Sequence, residues 1–156
     1  MKITFYTDGS CKSNGNPDSK GGFGVVGINI ENNIIYEYQE FKSPTTNNEM
    51  ELMAILHALN YIKDKELFFP KPIIYTDSAY CCNLINNWMY GWEQNGWMRP
   101  KNQEVKNLNI IKQIYELASL AEIKKVSGHS GILGNELADK LATGECKANS
   151  HLGLGE

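Results

Sequence analysis

The spacing of apolar residues changes once along the chain, near residue 45, and no other feature limits its possible folds as much. Before that point the period is that of strands: ITFYT at 3–7, FGVVGINI at 23–30 and IIYEYQEF at 34–41, the last in clear alternation. The connections between them, GSCKSNGNPDSKGG and ENN, are built from turn residues. Three such strands in succession predict an antiparallel meander. Beyond residue 45 the segments EMELMAILHALNYIKD, AYCCNLINNWM, EVKNLNIIKQIYELASL and GNELADKLAT read as helices. They alternate with two short strands, KPIIYTDS and AEIKKVSGH, and GWEQNGWMRPKNQ reads as a loop or broken helix. A meander followed by alternating helices and strands implies an α/β fold, a mixed sheet with helices packed on both faces.

The chain has 156 residues, enough for one domain with a real core, and 42% hydrophobic with 21% charged residues is an ordinary globular balance. No apolar run approaches the roughly 20 residues of a membrane helix. The start, MKITFYTDGS, has no signal-peptide pattern, so a cytoplasmic protein is expected. Cys11, Cys81, Cys82 and Cys146 match no zinc spacing and read as reduced thiols. The net charge of −3 argues against a protein that lives by nonspecific attraction to nucleic acid. It does not exclude a nucleic-acid enzyme, because a bound cation can supply positive charge locally. Residues 1–144 read as one catalytic-sized domain, with Gly144 stopping the last helix and 145–156 as a loose tail.

Four acids stand at comparable places. Asp8 ends the first strand, Asp77 ends the fourth, Glu51 lies in the first turn of the first helix, and Asp139 lies in the last helix. Each has an ordinary reading: turn former or cap for the aspartates followed by Gly9 and Ser78, helix-dipole partner for Glu51, solvated surface for Asp139. Only convergence would change their meaning. Two like charges ~5 Å apart repel by roughly 3 kcal/mol at an effective dielectric of ~20. A convergent set would therefore call for hard divalent cations with oxygen ligands, and so for metal-assisted hydrolysis.

The segments TDGS at 7–10, TTNNEMELMA at 45–54, YTDSAY at 75–80 and VSGHSGILGNELAD at 126–139 resemble, in order and interval, the motifs of type 1 ribonuclease H. The resemblance runs from Ile3 to about Ala142. It implies a ribonuclease H-like fold: a five-stranded mixed sheet, an antiparallel meander plus parallel strands, flanked by helices. It implies an endonuclease that cuts the RNA strand of RNA–DNA hybrids with two Mg²⁺ ions, Mn²⁺ being a possible substitute, leaving 5′-phosphate and 3′-hydroxyl ends. Carried over by motif, the metal ligands are Asp8, Glu51, Asp77 and Asp139. Glu51 rather than Glu49 is the match, because it precedes Leu52 in the MEL segment; the two side chains lie two residues apart and cannot share a helix face. His129, in a glycine-flanked loop, matches a histidine that assists proton transfer or product release; His57 and His151 read as structural or exposed.

For the hybrid itself, the resemblance nominates Gly9, Ser10, Cys11, Asn16 and Ser78 near the RNA 2′-hydroxyls, and Asn47 and Asn48 near the backbone at the helix start. Trp88, Trp92 and Trp97 match a handle region, with core packing expected for at least two of them. The handle is weakly basic here, Arg99 and Lys101 against Glu93, which predicts a shallow salt dependence of binding. A monomer with no protein partner and no membrane is expected. Two other readings stay open at this point: a superfamily nuclease or integrase-like member with another nucleic-acid substrate, and a catalytically silent hybrid-binding module.

Overall fold

In the computed structural model, which describes residues 2–99, 101, 103–127, 131–149 and 152, the change of period divides the sheet. Strands β1 (Ile3–Lys12), β2 (Lys20–Asn29) and β3 (Ile34–Lys42) form the antiparallel meander. Then β4 (Ile73–Thr76) and β7 (Glu122–Lys125) add in parallel, giving the order β3-β2-β1-β4-β7. This is the expected five-stranded mixed sheet. The first hairpin is longer than the apolar pattern suggested, with register running from Ile3↔Asn29 to Lys12↔Lys20. Its outer rungs carry glycine, serine and lysine, which pair by backbone hydrogen bonds and leave no hydrophobic signature.

Helix α1 (Asn47–Asp64) covers one face of the sheet and α5 (Leu133–Thr143) the other. The Thr46 hydroxyl caps α1, accepting from the Glu49 N–H at 3.1 Å. Buried positions surround much of α1, because it lies between the sheet and helix α4 (Leu108–Leu117). Phe5, Phe23, Val25, Leu52, Ile55, Leu59 and Ile74 form the main core there. Each such side chain contributes about 1.5–3 kcal/mol on burial. A smaller cluster of Val26, Ile28, Ala138 and Leu141 fixes α5.

The helix expected over 79–89 is broken into α2 (Ala79–Asn83), a π-helical turn (Leu84–Trp88) and α3 (Met89–Gln94). The two-residue strands β5 (Met98–Arg99) and β6 (Gln103–Glu104) follow as a small hairpin. Helix α4 starts later than its sequence pattern, at Leu108, after Asn107 takes a left-handed φ of 59°. Gly144 ends α5 with φ 83°, as expected for a helix stop. Beyond it, Gln39 Nε2 donates to the Leu141 and Cys146 carbonyls at 2.9 and 3.0 Å, and Ala148 N–H donates to Gln39 Oε1 at 2.8 Å. All four cysteines are free thiols. No helix among the described residues is long and apolar enough to cross a membrane.

Candidate metal centre and nucleic-acid face

The site grows from the point where β1 and β4 part. Their parallel pairing ends at Thr7↔Thr76, and the next residue on each strand is an aspartate, Asp8 and Asp77. Contrary to the sequence reading, Asp8 does not end its strand, since β1 continues against β2 through Asp8↔Gly24 to Lys12. It stands where β1 loses one of its two neighbours, which opens a notch at the carboxyl end of the parallel pair.

Glu51 enters the notch from α1. It lies in the second turn rather than the first, because the helix begins at Asn47. It reaches β1 because residue 9 is glycine; a Cβ there would run into the backbone of Met50 and Glu51. The Gly9 N–H donates to Asp8 Oδ1 and to Glu51 Oε1, each at 2.9 Å. The Thr76 hydroxyl lies 3.4 Å from Glu51 Oε2 and accepts from the Ser78 N–H at 3.1 Å. Asp8, Glu51 and Asp77 each offer a carboxylate oxygen within 4.8 Å of the others. Asp139, from α5, comes within hydrogen-bonding reach of the Asp8 carboxyl but stands outside this three-residue group. Gly24 permits its approach, since a Cβ there would sit 2.5 Å from the Ala138 carbonyl oxygen. Glu49 faces elsewhere, bonded to Lys42 and Thr45.

Asp8 and Glu51 are only 5% and 7% exposed. Burial, then the charge of Glu51, its hydrogen bond, and the charge of Asp77 push the Asp8 carboxyl far above the usual carboxylate range. Burial also raises Glu51, an effect its hydrogen bonds with Asp8, Gly9 and Thr76 reduce and Asp77 adds to. Among the described residues neither acid has a lysine or arginine within ion-pair distance. A cluster of hard oxygen donors that resist joint ionisation, at distances one ion can bridge, fits a divalent cation of the Mg²⁺ or Mn²⁺ type.

The other nominated residues divide. Gly9 spends its N–H on the two carboxylates, so it positions them. Cys11 Sγ lies 3.4 Å from the Thr45 carbonyl oxygen. Asn16 lies in an exposed turn, its N–H donating to Ser13 O at 3.0 Å. Asn14, missed in the sequence, joins that loop to α1: its Oδ1 accepts from Asn47 N–H at 2.8 Å. Ser78 caps α2, its Oγ accepting from Cys81 N–H at 3.1 Å. Asn48, Trp88 and Trp92 line one groove of about 450 Å³ with Arg99, the handle's arginine, and with Tyr80 and Lys106, two residues that sequence reasoning did not single out for a site. Trp92 and Trp97 pack against the main core, while Trp88 is 42% exposed. Ser10 lines a second groove, beside β2 and the end of α5. His129 and His151 lie outside the described residues. His57 is structural: it stacks on Tyr38 at 3.7 Å, meets the Tyr36 hydroxyl at 2.5 Å, and burial pushes its pKa down to about 4.

The family model described as RNase H matches residues 1–147. A ribonuclease H of Acetivibrio thermocellus is 40% identical over 153 residues, covering 96% of this chain and 97% of that protein. A crystal structure of a type 1 RNase H with the type 2 active-site motif superposes with TM-score 0.78 at 28% identity, over 95% of this chain and 74% of the other. A foamy viral protease-reverse transcriptase, solved in complex with RNA/DNA hybrid, gives TM-score 0.77 at 28% identity over 91% of this chain and 19% of the viral one.

Proposed function

The chain belongs to the RNase H family, and from that premise we propose that it is a metal-dependent endonuclease hydrolysing the RNA strand of RNA–DNA hybrids. The observation that carries this reading is the buried meeting of Asp8, Glu51 and Asp77 at the end of the parallel strands. These three and Asp139 would hold Mg²⁺, two ions in the complete site. Bound there, divalent metal supplies a water acidified for attack on phosphorus and neutralises charge on the departing 3′-oxygen.

The chain's own contribution is preorganisation. Gly9 N–H fixes Asp8 and Glu51 from the backbone, and the Thr76 hydroxyl steadies the far oxygen of Glu51. Helix α5 delivers Asp139 across the sheet to the same aspartate. His129 is the proposed proton carrier. Ser10, Cys11, Asn16 and Ser78 form the proposed RNA side, beside Gly9, whose N–H goes to the carboxylates; Asn47 and Asn48 meet the nucleic-acid backbone at the start of α1, and Trp88, Trp92 and Trp97 belong to the handle. In this reading residues 1–144 are the catalytic unit, 145–156 are accessory, and the protein works as a cytoplasmic monomer.

The test is cleavage of an RNA–DNA hybrid, duplex DNA and duplex RNA in parallel, with and without Mg²⁺. Cleavage of the hybrid RNA strand alone, only with metal, giving 5′-phosphate and 3′-hydroxyl ends, is the expected result. Metal-independent cleavage leaving cyclic phosphates would sink the mechanism. Metal-dependent binding without turnover would make the protein a hybrid-binding module.

A further inference from the structure

Lys12 and Lys20 stand directly opposite each other at the loop end of the β1–β2 hairpin. Like charges facing across an antiparallel rung repel, and here both lysines are exposed and form no ion pair among the described residues. The neighbouring rung pairs Gly21 with Lys42. All three lysines line one groove of about 450 Å³, whose other walls include the hydroxyl residues Ser10, Ser43 and Thr143. Its floor is glycine: at Gly22 a Cβ would meet the Ala142 carbonyl oxygen at 2.5 Å and the Phe41 ring at 2.6 Å. No carboxylate lines the groove among the described residues, and Glu49 neutralises only Lys42, at 2.7 Å.

Strand β1 links the groove to the acids, since Ser10, which lines it, lies two residues from Asp8 on the same strand. Asp8, Ser10 and Lys12 alternate onto one face, so Lys12 lies four residues, about 13 Å of strand, beyond Asp8. Resting on the reading above, we propose that Lys12 and Lys20 grip a backbone phosphate of the cleaved strand a few nucleotides from the scissile bond. A bound phosphate relieves the lysine–lysine repulsion and tethers the strand beside the acids that would otherwise repel it. The site adds a cationic contact in a groove separate from the one lined by Arg99 and Lys106.

The experiment is the salt dependence of binding. A short fluorescein-labelled RNA–DNA hybrid is titrated by anisotropy, across a KCl series, with the full chain carrying Asp8→Asn so that nothing is cut. The measurement is repeated with Lys12→Gln and Lys20→Gln added together. Each neutralised phosphate contributes about 0.7–0.9 to the slope of log Kd against log salt, so loss of the pair that holds one phosphate should lower it by about that amount. Lys63→Gln with Lys65→Gln, at the far end of α1, should leave the slope unchanged. The melting temperature of the Lys12/Lys20 variant should be equal or higher; a merely structural role would lower it. An unchanged slope, or an equal fall in the Lys63/Lys65 control, overturns the site. Hybrid cleavage by the unmodified chain is scored separately. Binding with the expected slope but no cleavage sinks the enzyme reading and leaves the site standing; cleavage with an unchanged slope does the reverse.

Discussion

Asp8 and Glu51 face each other nearly without solvent, and Asp77 completes a group of three carboxyls that resist joint ionisation. Such a group strains the metal-free fold. Replacing Asp8 with Asn removes the acid whose ionisation the site most opposes and keeps the shape, so the metal-free variant should be more stable by roughly 1–3 kcal/mol in urea unfolding. Its hybrid cleavage should fall at least about a thousandfold, since several kcal/mol of charge stabilisation leave with the ligand. A destabilised Asn variant would mean that the carboxylate is structural. These acids were legible in the sequence because each sits in a short motif at the end of a predicted element. The choice of Glu51 over Glu49 was legible too, from its place before Leu52 in the motif, and Glu49 turns instead to Lys42 and Thr45. Asn14, Tyr80 and Lys106 were not legible. Their placement depends on how a loop and the small β5–β6 hairpin fold back, and no local pattern encodes that.

The elements meet at distances that glycine permits. At Gly9 a methyl group would collide with the α1 backbone, and the helix must shift away for it to fit. Gly9→Ala should therefore cost about 1–3 kcal/mol by overpacking and also displace Glu51, lowering cleavage more than the stability loss alone explains. Parallel unfolding and kcat measurements separate the two effects. On the opposite edge, α1 packs on β3 through His57, held neutral between Tyr36 and Tyr38. Its pKa in the fold, about 4, lies below the unfolded value near 6.5, so its contribution is complete above pH 6.5 and is lost as pH falls toward 4. That loss should reach about 2–3 kcal/mol, and His57→Gln should flatten this part of the stability–pH curve. Element types were legible from period, whereas the extended β1–β2 hairpin and the π-helical turn at Leu84–Trp88 were not. Glycine-rich rungs carry no alternation, and a π turn differs from an α turn only in which carbonyl is used.

At the scale of the molecule, a chain of net charge −3 must bind a polyanion through local fields, with cations set around an acidic centre. Arg99 and Lys106 lie in one groove, Lys12 and Lys20 in another; Glu51 stands on α1, which also lines the first, and Asp8 on β1, which also lines the second. The metal ties this arrangement to stability. An ion that binds the folded acids and not the unfolded chain adds RT ln(1 + [L]/Kd), about 2.7 kcal/mol at a hundredfold excess over Kd. For a chain of 156 residues that corresponds to a rise of roughly 5–10 °C in melting temperature. Mg²⁺ titration followed by calorimetry should show the rise, chelation should reverse it, and Asp8→Asn should blunt it. A melting temperature indifferent to Mg²⁺ and Mn²⁺ in the unmodified chain would separate the acidic cluster from metal binding altogether, whatever the cleavage assay returned.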